Sequence, residues 1–113
     1  MQHNLATLQQ EKDIERKRGH WPETLNRAIE NWGRETQTDK VIEEIGELLQ
    51  AIMKHRHKPS NPALRDNLLE EIADVEIMLS QLKMMYDDDR TVDHLKTVKM
   101  FRLKDILDKG GAY

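Results

Sequence analysis

The sequence predicts an all-α fold, and three observations predict it. Leu, Met, Glu, Lys, Gln and Arg dominate its 113 residues, whereas Gly (5), Pro (3) and aromatic residues (4%) are scarce. Apolar residues recur at three- and four-residue spacings, and no period-two stretch is long enough for a sheet. The few Pro and Gly residues fall where helices start or stop.

The elements follow in order. Residues 1 to about 18 are polar, highly charged and weakly periodic, which suits a frayed helix or a flexible arm. The chain thus divides into an N-terminal arm or helix over 1–20 and one helical domain over 21–113. Trp21-Pro22-Glu23-Thr24 marks a helix start with Pro22 in the first turn, and that helix stops at Gly33. Thr38-Asp39 is the next start signal, for a helix to about His57 whose basic end suits the helix dipole. Pro59-Ser60-Asn61-Pro62 breaks the chain before the longest helix, about Ala63 to Tyr86. Asp87-Asp88-Asp89 interrupts, Thr91 is placed to cap a last helix, and Gly110-Gly111 ends it. The expected architecture is a four-helix arrangement with short connections.

Composition narrows what such a domain does. Residues are 35% charged and 37% hydrophobic, so a large private core is not expected and a second copy should cover the leftover apolar surface. A homodimer or homotetramer is the expectation. The net charge is −3 with both signs intermixed, and Lys54-His55-Arg56-His57-Lys58 is a cluster rather than the basic stripe of a nucleic-acid binder. No cysteine is present, which excludes disulfides, thiolate zinc sites and a cysteine nucleophile. Neither a signal-peptide pattern nor a membrane-length apolar run occurs, so a soluble cytoplasmic protein is expected.

The most informative feature is an internal echo. Val41-Ile42-Glu43-Glu44-Ile45-Gly46-Glu47-Leu48 matches Leu68-Leu69-Glu70-Glu71-Ile72-Ala73-Asp74-Val75 in character, position by position. At 100° per residue Val41, Ile42, Ile45, Leu48, Leu49 and Ile52 form an apolar stripe, with Glu44 on its flank and Glu47 a turn beyond. Glu71 and Asp74 hold the same places beside Leu68, Leu69, Ile72, Val75 and Leu79. Gly46 and Ala73, between the acids, leave room for a close approach. Antiparallel packing would bring the two pairs together as four carboxylates, whose mutual repulsion a divalent cation relieves. An all-oxygen set selects hard ions such as Mg²⁺ or Mn²⁺. Each Glu-x-x-acid pair taken alone is also the mark of an ordinary solvated face. Ile77, Met78, Met84 and Met85 widen the apolar surface of the longest helix, which suits a central element packed in a core or between subunits.

Trp32-Gly33-x-x-x-Gln37, Glu43-Glu44-Ile45-Gly46-Glu47-Leu48 and Glu70-Glu71-Ile72-Ala73-Asp74-Val75 together resemble the MazG-like all-α nucleotide pyrophosphohydrolases, in particular compact single-domain members of the phage type. That family carries E-x-x-E and then E-x-x-D, and the 23 residues from Leu48 to Glu70 suit its spacer. The resemblance spans roughly residues 28 to 107. It implies a four-helix MazG-like bundle completed by oligomerisation, and hydrolysis of a nucleoside triphosphate to monophosphate and pyrophosphate. It also implies Mg²⁺ on Glu44, Glu47, Glu71 and Asp74, with Glu44 or Glu47 orienting or deprotonating the attacking water. Lys99-Met100-Phe101-Arg102-Leu103 resembles the family's late basic segment, so Lys99 and Arg102 become phosphate candidates, with a solvated face as the plain alternative. Trp32 and Gln37 resemble positions on the nucleotide side of the site; Trp32 either stacks on a base or anchors packing. Lys40, one turn before Glu44, is a further phosphate candidate. His55 and His57 are read as helix-end charge, and His20 and His94 have no partner in the pattern.

Two other readings compete. A di-iron or di-manganese carboxylate bundle uses Glu-x-x-His, and no histidine follows either pair at that spacing. Composition alone also admits a non-enzymatic helical adaptor or regulatory oligomer, but all four expected ligands are present, with no sign of degeneration.

Overall fold

The computed structural model describes residues 5–18, 21–87 and 90–111, which are helical with short connections and contain no strand. The helices are α1 (Leu5–Arg18), α2 (Trp21–Trp32), α3 (Arg34–His57), α4 (Pro62–Tyr86) and α5 (Thr91–Asp108). α1 lies in the segment expected as a frayed helix or arm. Among the described residues, no helix is long and apolar enough to cross a membrane.

Two start signals are corrected. α3 begins at Arg34, not Thr38, because Gly33 alone makes the break: its φ of 91° turns the chain while its N–H still bonds to Ile29 O (2.8 Å). Thr38 is mid-helix, its hydroxyl donating to Arg34 O at 2.8 Å instead of capping. The cap of α5 comes from Asp87 rather than Thr91. Asp87 Oδ1 and Oδ2 accept from the Thr91 and Val92 amides at 2.8 and 2.9 Å. α4 starts as its sequence directs, with Asn61 Oδ1 accepting from Ala63 N and Leu64 N and Pro62 in the first turn.

The architecture centres on an antiparallel hairpin of α3 and α4, with α2 laid against both. Arg34 at the start of α3 donates to Met85 O near the end of α4 (2.7 Å), and its guanidinium lies 4.9 Å from the centre of the Tyr86 ring. One turn in, Gln37 Nε2 donates to Gln81 Oε1 at 2.6 Å, both side chains buried. The buried seam then reads Gln37, Val41, Glu44 and Ala51 on α3, and Met85, Gln81, Met78 and Val75 on α4. That three-and-four spacing is the pattern of interlocking helices.

The seam is rotated from the apolar stripe that the sequence marks. Glu44 turns inward, whereas Ile42 and Leu49 are 66% and 59% exposed. The apolar arc of each helix is wider than one helix–helix contact, so part of it must face away. Ile45, Leu49 and Ile52 of α3 lie roughly 90° round from the seam, and Leu69, Ile72 and Leu79 of α4 roughly 140° round in the same sense. In an antiparallel pair rotations of the same sense point to the same side, so these exposed residues give the hairpin one apolar side.

Among the described residues, α1 and α5 make no extended packing with any other helix. The chain accordingly exposes 9666 Å², against about 6,500 Å² for a compact protein of this mass. Its Cα radius of gyration is 18.2 Å, against about 13 Å for a compact domain of this length.

The buried amide pair yields a stability prediction. Gln37→Leu strands Gln81 in the seam and should cost about 1–3 kcal/mol in urea unfolding. Combining it with Gln81→Leu should recover most of that loss, because neither polar group is then left unpaired; additive losses would show that the pair is not coupled.

Candidate metal centre

Glu44 and Glu47 are one turn apart on α3, and Glu71 reaches them from α4. One carboxylate oxygen from each lies within 4.8 Å of the others. The antiparallel seam makes this possible: in the register marked by Gln37 and Gln81, Glu71 of α4 comes nearly level with Glu47 of α3.

The three acids differ in surroundings. Glu44 is only 8% exposed; its Oε1 faces Lys40 Nζ at 3.3 Å, and its buried Oε2 has no hydrogen-bond partner. Glu71 is half-buried and its Oε2 is likewise buried without a partner. Glu47 is exposed at the edge. The negative charge of Glu44 is the main influence holding the Glu47 carboxyl above its ordinary pKa, with burial and a hydrogen bond to Glu44 adding to it. Burial chiefly raises Glu71, helped by the charges of Asp74, Glu44 and Glu70 and partly opposed by a hydrogen bond with Glu47. Two buried oxygens without a hydrogen-bond partner, on two acids of a converging set, are what a hard divalent cation would satisfy. The residues present therefore fit such an ion, with Glu44, Glu47 and Glu71 to hold it. Among the described residues, no other group of this kind occurs.

The other expected site residues are distributed as follows. Asp74 is exposed and outside the converging set, yet close enough for its charge to act on Glu71. Trp32, Gln37 and Lys40 come together around an open cavity of about 560 Å³, with Asp39, Glu43 and Gln81. Trp32 is 60% exposed, so it is not a packing anchor within this chain. Gln37 is a buried pin beneath the cavity, its amide bonded to Gln81. Lys99 and Arg102 are exposed on α5, and neither is among the charges acting on Glu47 or Glu71. His55 and His57 stand in the last turn of α3, His94 is exposed on α5, and His20 lies outside the described residues.

Two expectations about spacing fail. A Cβ on Gly46 would meet nothing within 4 Å, so the helices do not need glycine there to approach. Ala73 instead lines a cavity with Trp21 and Leu25 of α2. Gln81, the partner of Gln37, was not anticipated. A polar residue at a seam position of α4 was its available signal.

No protein-family model, curated protein or solved structure matches this chain.

A pH dependence follows from the acids. A carboxyl raised in the folded state above its ordinary 4.5 binds protons more readily folded than unfolded, so stability rises as pH falls through the raised value toward 4.5. With chelator present, Glu47→Gln should therefore weaken the gain in melting temperature between about pH 7.5 and about pH 5 relative to wild type. Identical pH profiles for the two proteins would show that Glu47 carries no such strain.

Proposed function

We propose that the chain is a Mg²⁺-dependent nucleoside triphosphate pyrophosphohydrolase, cleaving an NTP or dNTP to monophosphate and pyrophosphate. One observation carries this reading: three carboxylates converge with two orphaned buried oxygens, beside a cavity edged by Trp32 and Lys40. The resemblance of the paired acid motifs to the MazG-like enzymes supports it.

In this proposal Glu44, Glu47 and Glu71 hold the cation, with Asp74 as the outer fourth ligand. Mg²⁺, or Mn²⁺ in its place, would neutralise the triphosphate and lower the pKa of a water. The chain's own residues do the rest. The exposed indole of Trp32 offers a flat surface for a base. Lys40 supplies positive charge between cavity and acids. Glu47 is the more accessible of the two candidate bases for a proton from an attacking water. The hydroxide equivalent attacks the α-phosphorus, the bond to the bridging oxygen breaks, and pyrophosphate leaves with that oxygen.

The proposal includes a homodimer or homotetramer. The apolar plate on α3 and α4 lies on the side of the hairpin away from Glu47 and Asp74, and a second hairpin seated there would complete a four-helix bundle. Lys99 and Arg102, exposed on α5, remain the phosphate candidates that the late basic segment suggests. The same exposed plate is the observation that favours the second reading, a non-enzymatic helical adaptor whose partner is another protein.

Pyrophosphate release from a panel of nucleoside triphosphates with Mg²⁺ tests the activity. Glu44→Gln and Glu71→Gln should each lower it by at least about 100-fold, since loss of even an outer partner of a metal ligand costs about 10–100-fold. Asp74→Asn should lower it as well. Folded wild type that releases nothing from any triphosphate would move the adaptor ahead.

Assembly has its own test. Sedimentation should give a dimer or tetramer for wild type, and Leu49→Glu, which places a charge on the plate, should shift it toward monomer with α-helical content retained. A monomeric wild type would remove the bundle-completing role from the plate.

A further inference from the structure

We infer that Lys40 is a resident counter-ion of the acid cluster, which leaves Glu44 when a divalent cation binds and turns to a phosphate of the incoming triphosphate. This rests on the proposed cation site.

Glu44 has one oxygen on an ammonium and the other on nothing: Oε1 meets Lys40 Nζ at 3.3 Å, while Oε2 is buried and unpartnered. Lys40 Nζ also lies 3.5 Å from Glu43 Oε1, outside the converging set. The ammonium therefore bridges one acid of the converging set and one outside it. The Lys40 side chain is 46% exposed and lines the cavity that Trp32 edges, so its head has room to move. A lysine head is a compact charge on a flexible stem, able to swing without backbone change.

Charge then decides where it goes. A divalent ion on Glu44 would stand within a few ångströms of the ammonium, and at that range like charges repel strongly. The attraction that holds Lys40 on Glu44 is largely cancelled once Glu44 is neutralised. Glu43 and the cavity remain open to it, and an anion entering beside Trp32 gives the freed ammonium a new partner. The same lysine would thus relieve repulsion among the acids before loading and bind substrate charge after it. A plain surface ion pair at i, i+4 would have neither consequence, being worth at most about 1 kcal/mol and indifferent to Mg²⁺.

Labelling of lysines by an amine-reactive ester, quantified by mass spectrometry, reads this directly. Mg²⁺ alone should raise modification of Lys40 several-fold while leaving Lys83, paired with Asp93 at 3.0 Å, unchanged. Adding a triphosphate with a non-hydrolysable α,β-bridge should lower Lys40 modification again. A second readout is Mn²⁺ affinity by electron paramagnetic resonance. Lys40→Met should tighten it about two- to five-fold, the equivalent of an exposed pair no longer competing. Lys54→Met, about 21 Å farther along α3, controls for general loss of positive charge. Lys40 labelling that ignores Mg²⁺, or a Lys40→Met affinity no tighter than that of Lys54→Met, overturns the counter-ion role. Labelling that rises with Mg²⁺ but ignores the triphosphate overturns the second half. Wild type that binds no Mn²⁺ removes the cation site itself, and this inference falls with it.

Discussion

Glu44 is buried in the seam between α3 and α4 with a carboxylate oxygen that has no hydrogen-bond partner among the described residues. Most of the molecule's other features can be understood from that constraint. A carboxylate in such a place needs a counter-charge, and Lys40 supplies half of one. It also imposes its charge on its neighbours, so Glu47 holds its proton more tightly than an ordinary glutamate. A single helix could not create this arrangement. Glu71 comes from the facing helix, and the antiparallel packing brings it within reach of Glu44 and Glu47.

That register is held at one end by polar contacts. Arg34 to Met85 O, the cation–π contact with Tyr86 and the Gln37–Gln81 bond all lie where α3 begins and α4 ends. Apolar side chains alone would allow the hairpin to slide by a turn, since Val, Met and Ala interlock at several offsets. A buried amide pair does not, because a shift of one turn strands both groups. Gln37 thus affects the candidate centre without touching it. By fixing which residues face each other, it fixes how closely Glu44 and Glu71 approach.

Much of this was legible in the sequence, for physical reasons that also mark where reading stopped. The four long helices were visible because their periodicity is strong and their breaks carry Pro, Gly or Asn. The repeat of paired acids marked Glu44, Glu47 and Glu71 because a seam acid and its neighbour a turn away always share an edge of a helix. The rotation of the seam was not legible. Val41, Ile42, Ile45, Leu48 and Leu49 are equally apolar, and only packing decides that Val41 and Glu44 go inward while Ile42 and Leu49 stay outside. Helix starts depended on single atoms: Gly33 overrode the Thr38 signal through its backbone, and Asp87 reached past Arg90 to cap α5. Gln81 was hidden because an isolated glutamine in a helix has no mark of its own until its partner is known.

The exposed plate and the acids are consequences of the same hairpin. Each helix has an apolar arc too wide for one partner, so using one edge of it for the α3–α4 seam leaves the other edge bare. Turning Glu44 into the seam is what moves Ile42, Ile45 and Leu49 out of it. The feature that concentrates charge on one side is therefore the feature that uncovers apolar surface on the other. A hairpin with Ile42 and Ile45 inward would bury more apolar area within one chain, but it would carry Glu44 to the surface and separate it from Glu71. Covering the plate would remove that competing arrangement, since the residues that could re-enter the seam would already be occupied. Assembly and the acid cluster are in that sense one problem: a surface seated on the plate would hold the seam in the rotation that keeps Glu44 buried.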